Sequence, residues 1–208
     1  MGREWQRLNL REYSSQHPIF IDANIFLDYT LPNTEFGRAV SDFLERVELQ
    51  DIAAITTPAV LNEVSYILLL QRGMAILNTG NRDIVRNKIK ANSHFAHLCY
   101  DAVDTFNEFI SGLDGLKLIP VQPEDYLFAS DLGRTYNLLP IDALHLSAMR
   151  RAQVRNIATR DRTLSEWMEL WSGARERPIS CLRCSSPWQA PRSPRGSIQG
   201  RLIKLENL

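Results

Sequence analysis

Four short apolar runs constrain this chain most: IFID (19–22), IAAITT (52–57), LKLIPV (116–121) and NIATRD (156–161). The first is β-branched and aromatic without alternation, so it reads as a strand buried on both faces. The other three read as its partners. Between them the spacing turns helical. In 33–49, Phe36, Val40, Phe43, Leu44 and Val47 fall on one face. Pro58 suits the first turn of a helix through AVLNEVSYILLLQR, which Gly73 is expected to stop. Residues 81–112 read as one long helix or two consecutive ones, with Ile84, Ile89, Phe95, Val103 and Phe106 on the apolar side. Further helices are expected in PEDYLFASDLGRTYNL, IDALHLSAMRRAQ and TLSEWMELW, and a fifth strand in PISCL (178–182). Strand and helix alternate, which predicts an α/β fold with a parallel sheet covered by helices on both faces.

In such sheets ligands sit beyond the carboxyl ends of the strands, and acids collect there. Asp22 closes the first strand and Asp161 the fourth. Glu63 lies in the first turns of the helix after the second strand, and Asp142 opens the helix before the fourth. Four carboxylates at one edge cannot all ionise without a counter-charge. A hard divalent cation, Mg²⁺ or Mn²⁺, takes oxygen ligands and supplies that charge. The chemistry this favours is metal-assisted hydrolysis of a phosphodiester. Asn24 and Thr159 stand where they can support a carboxylate or a metal-bound water. Each acid also has a structural alternative. Asp142 and Glu63 sit where the helix dipole favours an acid. Asp161 can cap the next helix or pair with Arg160 or Arg162. Asp22, between a buried strand and an apolar run, is the hardest to explain structurally.

The formal net charge is zero, but seven basic residues and two acids fall after Ala174. The tail is therefore about +5 and the body about −5. An acidic body suits a cation site better than a broad phosphate-binding face. Three cysteines make no disulfide framework. MGREWQRLNLREYSSQHP has no apolar signal core, and the run in VSYILLLQRG is too short to span a bilayer. These readings point to a reducing, cytoplasmic protein with no membrane partner.

FIDANIFLD, TTPAVLNEVSYIL around Glu63, LLPIDALHLSAM around Asp142 and IATRD form an ordered set. With it the chain resembles the PIN-domain proteins, which include the VapC ribonuclease toxins of toxin–antitoxin pairs, over about residues 18–170. The resemblance implies a three-layer α/β/α sandwich with a small parallel sheet of about five strands. It implies a Mg²⁺- or Mn²⁺-dependent endoribonuclease with Asp22, Glu63, Asp142 and Asp161 as catalytic and metal-binding residues. It further implies an RNA substrate, an antitoxin partner and a homodimer. The segment between Glu63 and Asp142 is long for a compact toxin. The competing readings are a non-catalytic PIN-like domain that binds RNA or protein, a dehalogenase-type phosphatase and a receiver domain. The phosphatase needs an aspartate where Asn24 stands. The receiver domain lacks a convincing phospho-acceptor and lysine set.

Other residues admit two readings each. His145 lies one turn after Asp142, to contact RNA or simply to pack. Arg150, Arg151 and Arg155, with Arg134 near, can bind phosphates or form a solvated helix face. Asp28 reads as a loop acid. His94 and His97, three apart, lack a third metal ligand, and Cys181 and Cys184 form a lone CxxC. The expected organisation is a peripheral segment (1–17), the nuclease-like domain (18–182) and a disordered basic tail (183–208). The final LENL looks like the start of an engineered protease-site tag, so the tail is left out of the functional reading.

Overall fold

The computed structural model describes Leu10, Tyr13 and residues 17–31 and 36–161. Four strands, β1 (Ile19–Ile21), β2 (Ala54–Thr56), β3 (Leu116–Leu118) and β4 (Asn156–Ala158), form one parallel sheet in the order β3-β2-β1-β4. Among the described residues seven helices flank it. They are α1 (Ala23–Thr30), α2 (Gly37–Glu48), α3 (Pro58–Leu77), α4 (Arg82–Ala91), α5 (Ser93–Ser111), α6 (Pro123–Tyr136) and α7 (Pro140–Arg151). The α/β architecture with a parallel sheet is the one the alternation predicts. The fifth strand and the TLSEWMELW helix lie outside the described residues, as do Cys181, Cys184 and the basic tail.

The sheet order positions the site. β1, β2 and β3 add successively on one side, and β4 then returns to the other side of β1, with Ile21 opposite Ala158. The winding therefore reverses between β1 and β4, and in open parallel sheets the crevice beyond the carboxyl ends at such a reversal is where ligands bind. Thr56 Oγ1 ties the neighbouring strand to this edge by donating to Ile21 O at 2.9 Å.

The core is apolar and aromatic, with Phe20, Phe26, Phe43, Phe106, Leu146 and Met149 fully buried. Tyr13 is also buried, so the segment expected to be peripheral contributes a core side chain. A smaller cluster of Leu70, Val85, Phe95 and Cys99 lies apart, between the end of α3, α4 and the start of α5.

Three local features refine or correct the sequence reading. The apolar run after Asp22 is a helix, α1. It buries Ala23, Ile25, Phe26 and Asp28, so it shows little of the one-sided pattern by which a helix is recognised. Gly73 does not stop α3, because it serves helix packing. A Cβ there would lie 2.4 Å from Val85 Cγ1 and 3.3 Å from Cys99 Sγ. The helix instead ends at Asn78, which takes the left-handed conformation (φ 48°) suited to a helix stop. The continuous α3, 20 residues long, is by length and composition apolar enough to cross a membrane, unlike the shorter run within it. In this fold it packs against α1, α4 and α5. Finally, 81–112 takes the second of its two expected forms, two consecutive helices. Asn92 ends α4 and caps α5 by accepting from Phe95 N at 2.8 Å.

Candidate active site

Asp22 leaves β1 in extended conformation and caps α1, its Oδ1 accepting from Ala23 N at 2.8 Å. Its Oδ2 accepts from Thr159 Oγ1 and from Asn24 Nδ2, each at 2.6 Å. The β1–β4 register brings Thr159 there, since Asp22 N also donates to Ala158 O at 3.1 Å. Thr159 Oγ1 accepts in turn from Asn24 Nδ2 at 3.0 Å and from Asp161 N at 2.9 Å. Asn24 Oδ1 accepts from Arg160 N at 3.0 Å. Asn24 and Thr159 are thus the struts that join the Asp22 edge to the Asp161 loop. Asp161 itself lies three residues beyond β4 rather than at its end.

Glu63 comes from the second turn of α3, whose start is capped by Thr57 and Pro58. Asp142 lies in the first turn of α7 after Pro140. Burial first, and then the charges of Asp161, Asp22 and Glu63, push the Asp142 carboxyl above its usual range. Among the described residues His145 alone opposes this. Burial also raises Asp22, with Glu63 adding to the rise, while Thr159, the Ala23 amide and His145 oppose it. Asp161, Asp22 and Glu63 therefore all act on Asp142, and Glu63 acts on Asp22 as well. They do not close on a common centre: among the described residues, no three of His, Cys, Asp and Glu meet as a ligand group. His94 and His97 are exposed on α5 and form no such group.

His145 is 1% exposed, packed with its ring centroid 5.8 Å from that of Phe20, and so does not present itself to an RNA chain. Arg150 and Arg151 both make contacts within the fold. Arg151 Nε donates to both carboxylate oxygens of Asp125, at 2.9 and 3.0 Å, and its terminal nitrogen reaches Pro120 O. Arg150 lies over the Phe128 ring, 4.8 Å from its centroid. Both hold α7 to α6 or the segment before it. Arg134 pairs with Asp131 on the exposed face of α6.

Sequence reasoning missed one arrangement at this edge. Asp28 is a buried helix residue, not a loop acid, and Arg160 Nε meets its Oδ2 at 2.6 Å. The Arg160 guanidinium also lies 5.4 Å from the Phe36 ring centroid. Burial raises the Asp28 carboxyl and Arg160 lowers it. Arg160 therefore goes to Asp28, where the sequence suggested Asp161. Spacing gives no signal for this pair, because α1 and the loop after β4 meet only in the folded sheet.

The PIN-domain family model matches residues 19–168, which spans β1 to beyond β4 and includes all four acids. The chain belongs to the PIN-domain family. PIN domains are generally nucleases and typically use divalent metals, so this is a nuclease fold. The comparison with curated proteins gave no match.

Proposed function

We propose that this PIN domain is a Mg²⁺- or Mn²⁺-dependent endoribonuclease. The observation that carries the reading is the electrostatic convergence on Asp142 of Asp22, Glu63 and Asp161, from separate elements, at the β1–β4 crevice. Like charges brought together without a cation work against a fold, and a bound cation would relieve them. All four donors are carboxylate oxygens, which suit a hard divalent ion by type and by charge.

When bound, the ion would polarise a phosphodiester and activate the attacking water. Asp22, Glu63, Asp142 and Asp161 would hold it. Asn24 and Thr159 keep the Asp22 carboxylate oriented through their hydrogen bonds. By the same family likeness, we read the protein as the cytoplasmic toxin of a toxin–antitoxin pair, a homodimer inhibited by an antitoxin. An arginine from that partner entering the acidic crevice would supply the quenching charge.

A second reading, a non-catalytic RNA- or protein-binding domain, is favoured by one observation. The Asp22 carboxylate already accepts three internal hydrogen bonds. Single-turnover cleavage of RNA in Mn²⁺ separates the two readings. The nuclease reading expects activity in the wild type and its loss in Asp22→Asn and Asp142→Asn. Unchanged activity in both variants would remove the assignment. RNA binding without cleavage in any metal would support the second reading.

A further inference from the structure

His145 combines deep burial with unmet polarity. It is 1% exposed, and among the described residues neither Nδ1 nor Nε2 has a hydrogen-bond partner. Buried polar groups are nearly always paired, so such a ring calls for a partner in some state of the molecule. Glu63 Oε2 lies 3.9 Å from Nε2, beyond hydrogen-bond range but within a side-chain rotation. The two groups differ in freedom. The imidazole is packed beside Phe20, whereas the Glu63 side chain is 40% exposed and has room to turn. His145 also stands one turn after Asp142 on α7, on the same face. The fixed group is therefore the imidazole and the movable one is the carboxylate.

We propose that His145 is the positioning residue for Glu63: its Nε2–H captures the Glu63 carboxylate and holds it toward the acidic crevice. The ring does this as an N–H donor and touches neither substrate nor reacting atoms. This inference rests on the nuclease reading for its purpose, but the contact itself is a property of the chain alone. An orienting partner behind a metal-binding carboxylate commonly contributes ten- to a hundredfold in metal affinity.

The test measures Mn²⁺ binding by calorimetry for wild type, His145→Ala, His145→Gln, Glu63→Ala and the His145→Ala/Glu63→Ala pair. His145→Ala should weaken binding about tenfold, and His145→Gln, which keeps an N–H donor, should stay within about threefold of wild type. In the Glu63→Ala background, His145→Ala should add nothing. Equal losses in both backgrounds, or no loss in either, would overturn the proposal. A second measurement needs no metal and no variant that might fail to fold. In the ¹⁵N spectrum of the histidine-labelled wild type, the His145 proton should reside on Nε2 and exchange slowly. A bare Nε2 overturns the contact. Absence of Mn²⁺ binding by the wild type would instead count against the metal reading, and the ring proton would still decide the contact.

Discussion

At its first turn α7 carries Asp142, and at its last it carries Arg151, nine residues or about 13 Å along the axis. At the Arg151 end, Asp125 is 2% exposed, yet it receives both oxygens' worth of donors from Arg151 and a further one from Gln122 N. At the Asp142 end, three other carboxylates press on a partly buried acid, with His145 as the opposing influence. A buried charge that is fully paired holds elements together. Like charges gathered without such pairing work against folding, and a bound cation would relieve them.

The contrast can be broken at either end, and the effects should descend in size. Asp22→Asn and Asp142→Asn should each reduce Mn²⁺-dependent RNA cleavage by about 10²–10³-fold in single-turnover assays. Arg151→Ala should cost about 3 kcal/mol in urea unfolding, since it strands a buried carboxylate, while cleavage per folded molecule stays at the wild-type level. Thr159→Val removes the hydroxyl shared by Asp22, Asn24 and Asp161 N, and should weaken Mn²⁺ binding about tenfold by calorimetry.

The smallest effect has a pH signature. Burial and the neighbouring acids raise the folded-state Asp142 carboxyl above its ordinary 3.8. The folded protein then holds that proton more tightly than the unfolded chain does. Stability from this group is fully present below 3.8 and is lost as pH rises through the raised value. Asp142→Asn should therefore raise the Tm of the metal-free protein slightly at pH 7, because solvent screens this half-exposed group. The gain should vanish near pH 3 in the same thermal scan. A gain that persisted there would show that the carboxylate's charge is not its cause.

Much of this organisation was legible in the chain. The strands announce themselves as short apolar runs, and their parallel arrangement follows from the helices between them. That arrangement alone brings Asp22, Glu63, Asp142 and Asp161 toward one edge. What stayed hidden depends on contacts between distant segments. α1 is buried on too many sides to show a period, and Gly73 marks a helix crossing where a break was expected. Arg151 and Asp125 look like surface charges until α6 and α7 pack together. The Gln122-Pro123-Glu124-Asp125 stretch did carry a readable sign, since the Asp125 side chain accepts from the Gln122 N–H at the start of α6. For His145, helical spacing gives the face but not the depth of burial or the missing partner.

The small cluster of Leu70, Val85, Phe95 and Cys99 has a consequence for how the molecule opens. It gives the far half of α3, α4 and the start of α5 a core separate from the one beneath the sheet. Such a unit can unravel sub-globally while the strands remain paired. Its amide protons, such as those of Val85 and Ile89, should exchange with solvent well before those of Phe20 and Ile21. Evolution could then lengthen or trim this helical annex as a module, leaving the crevice between β1 and β4 intact.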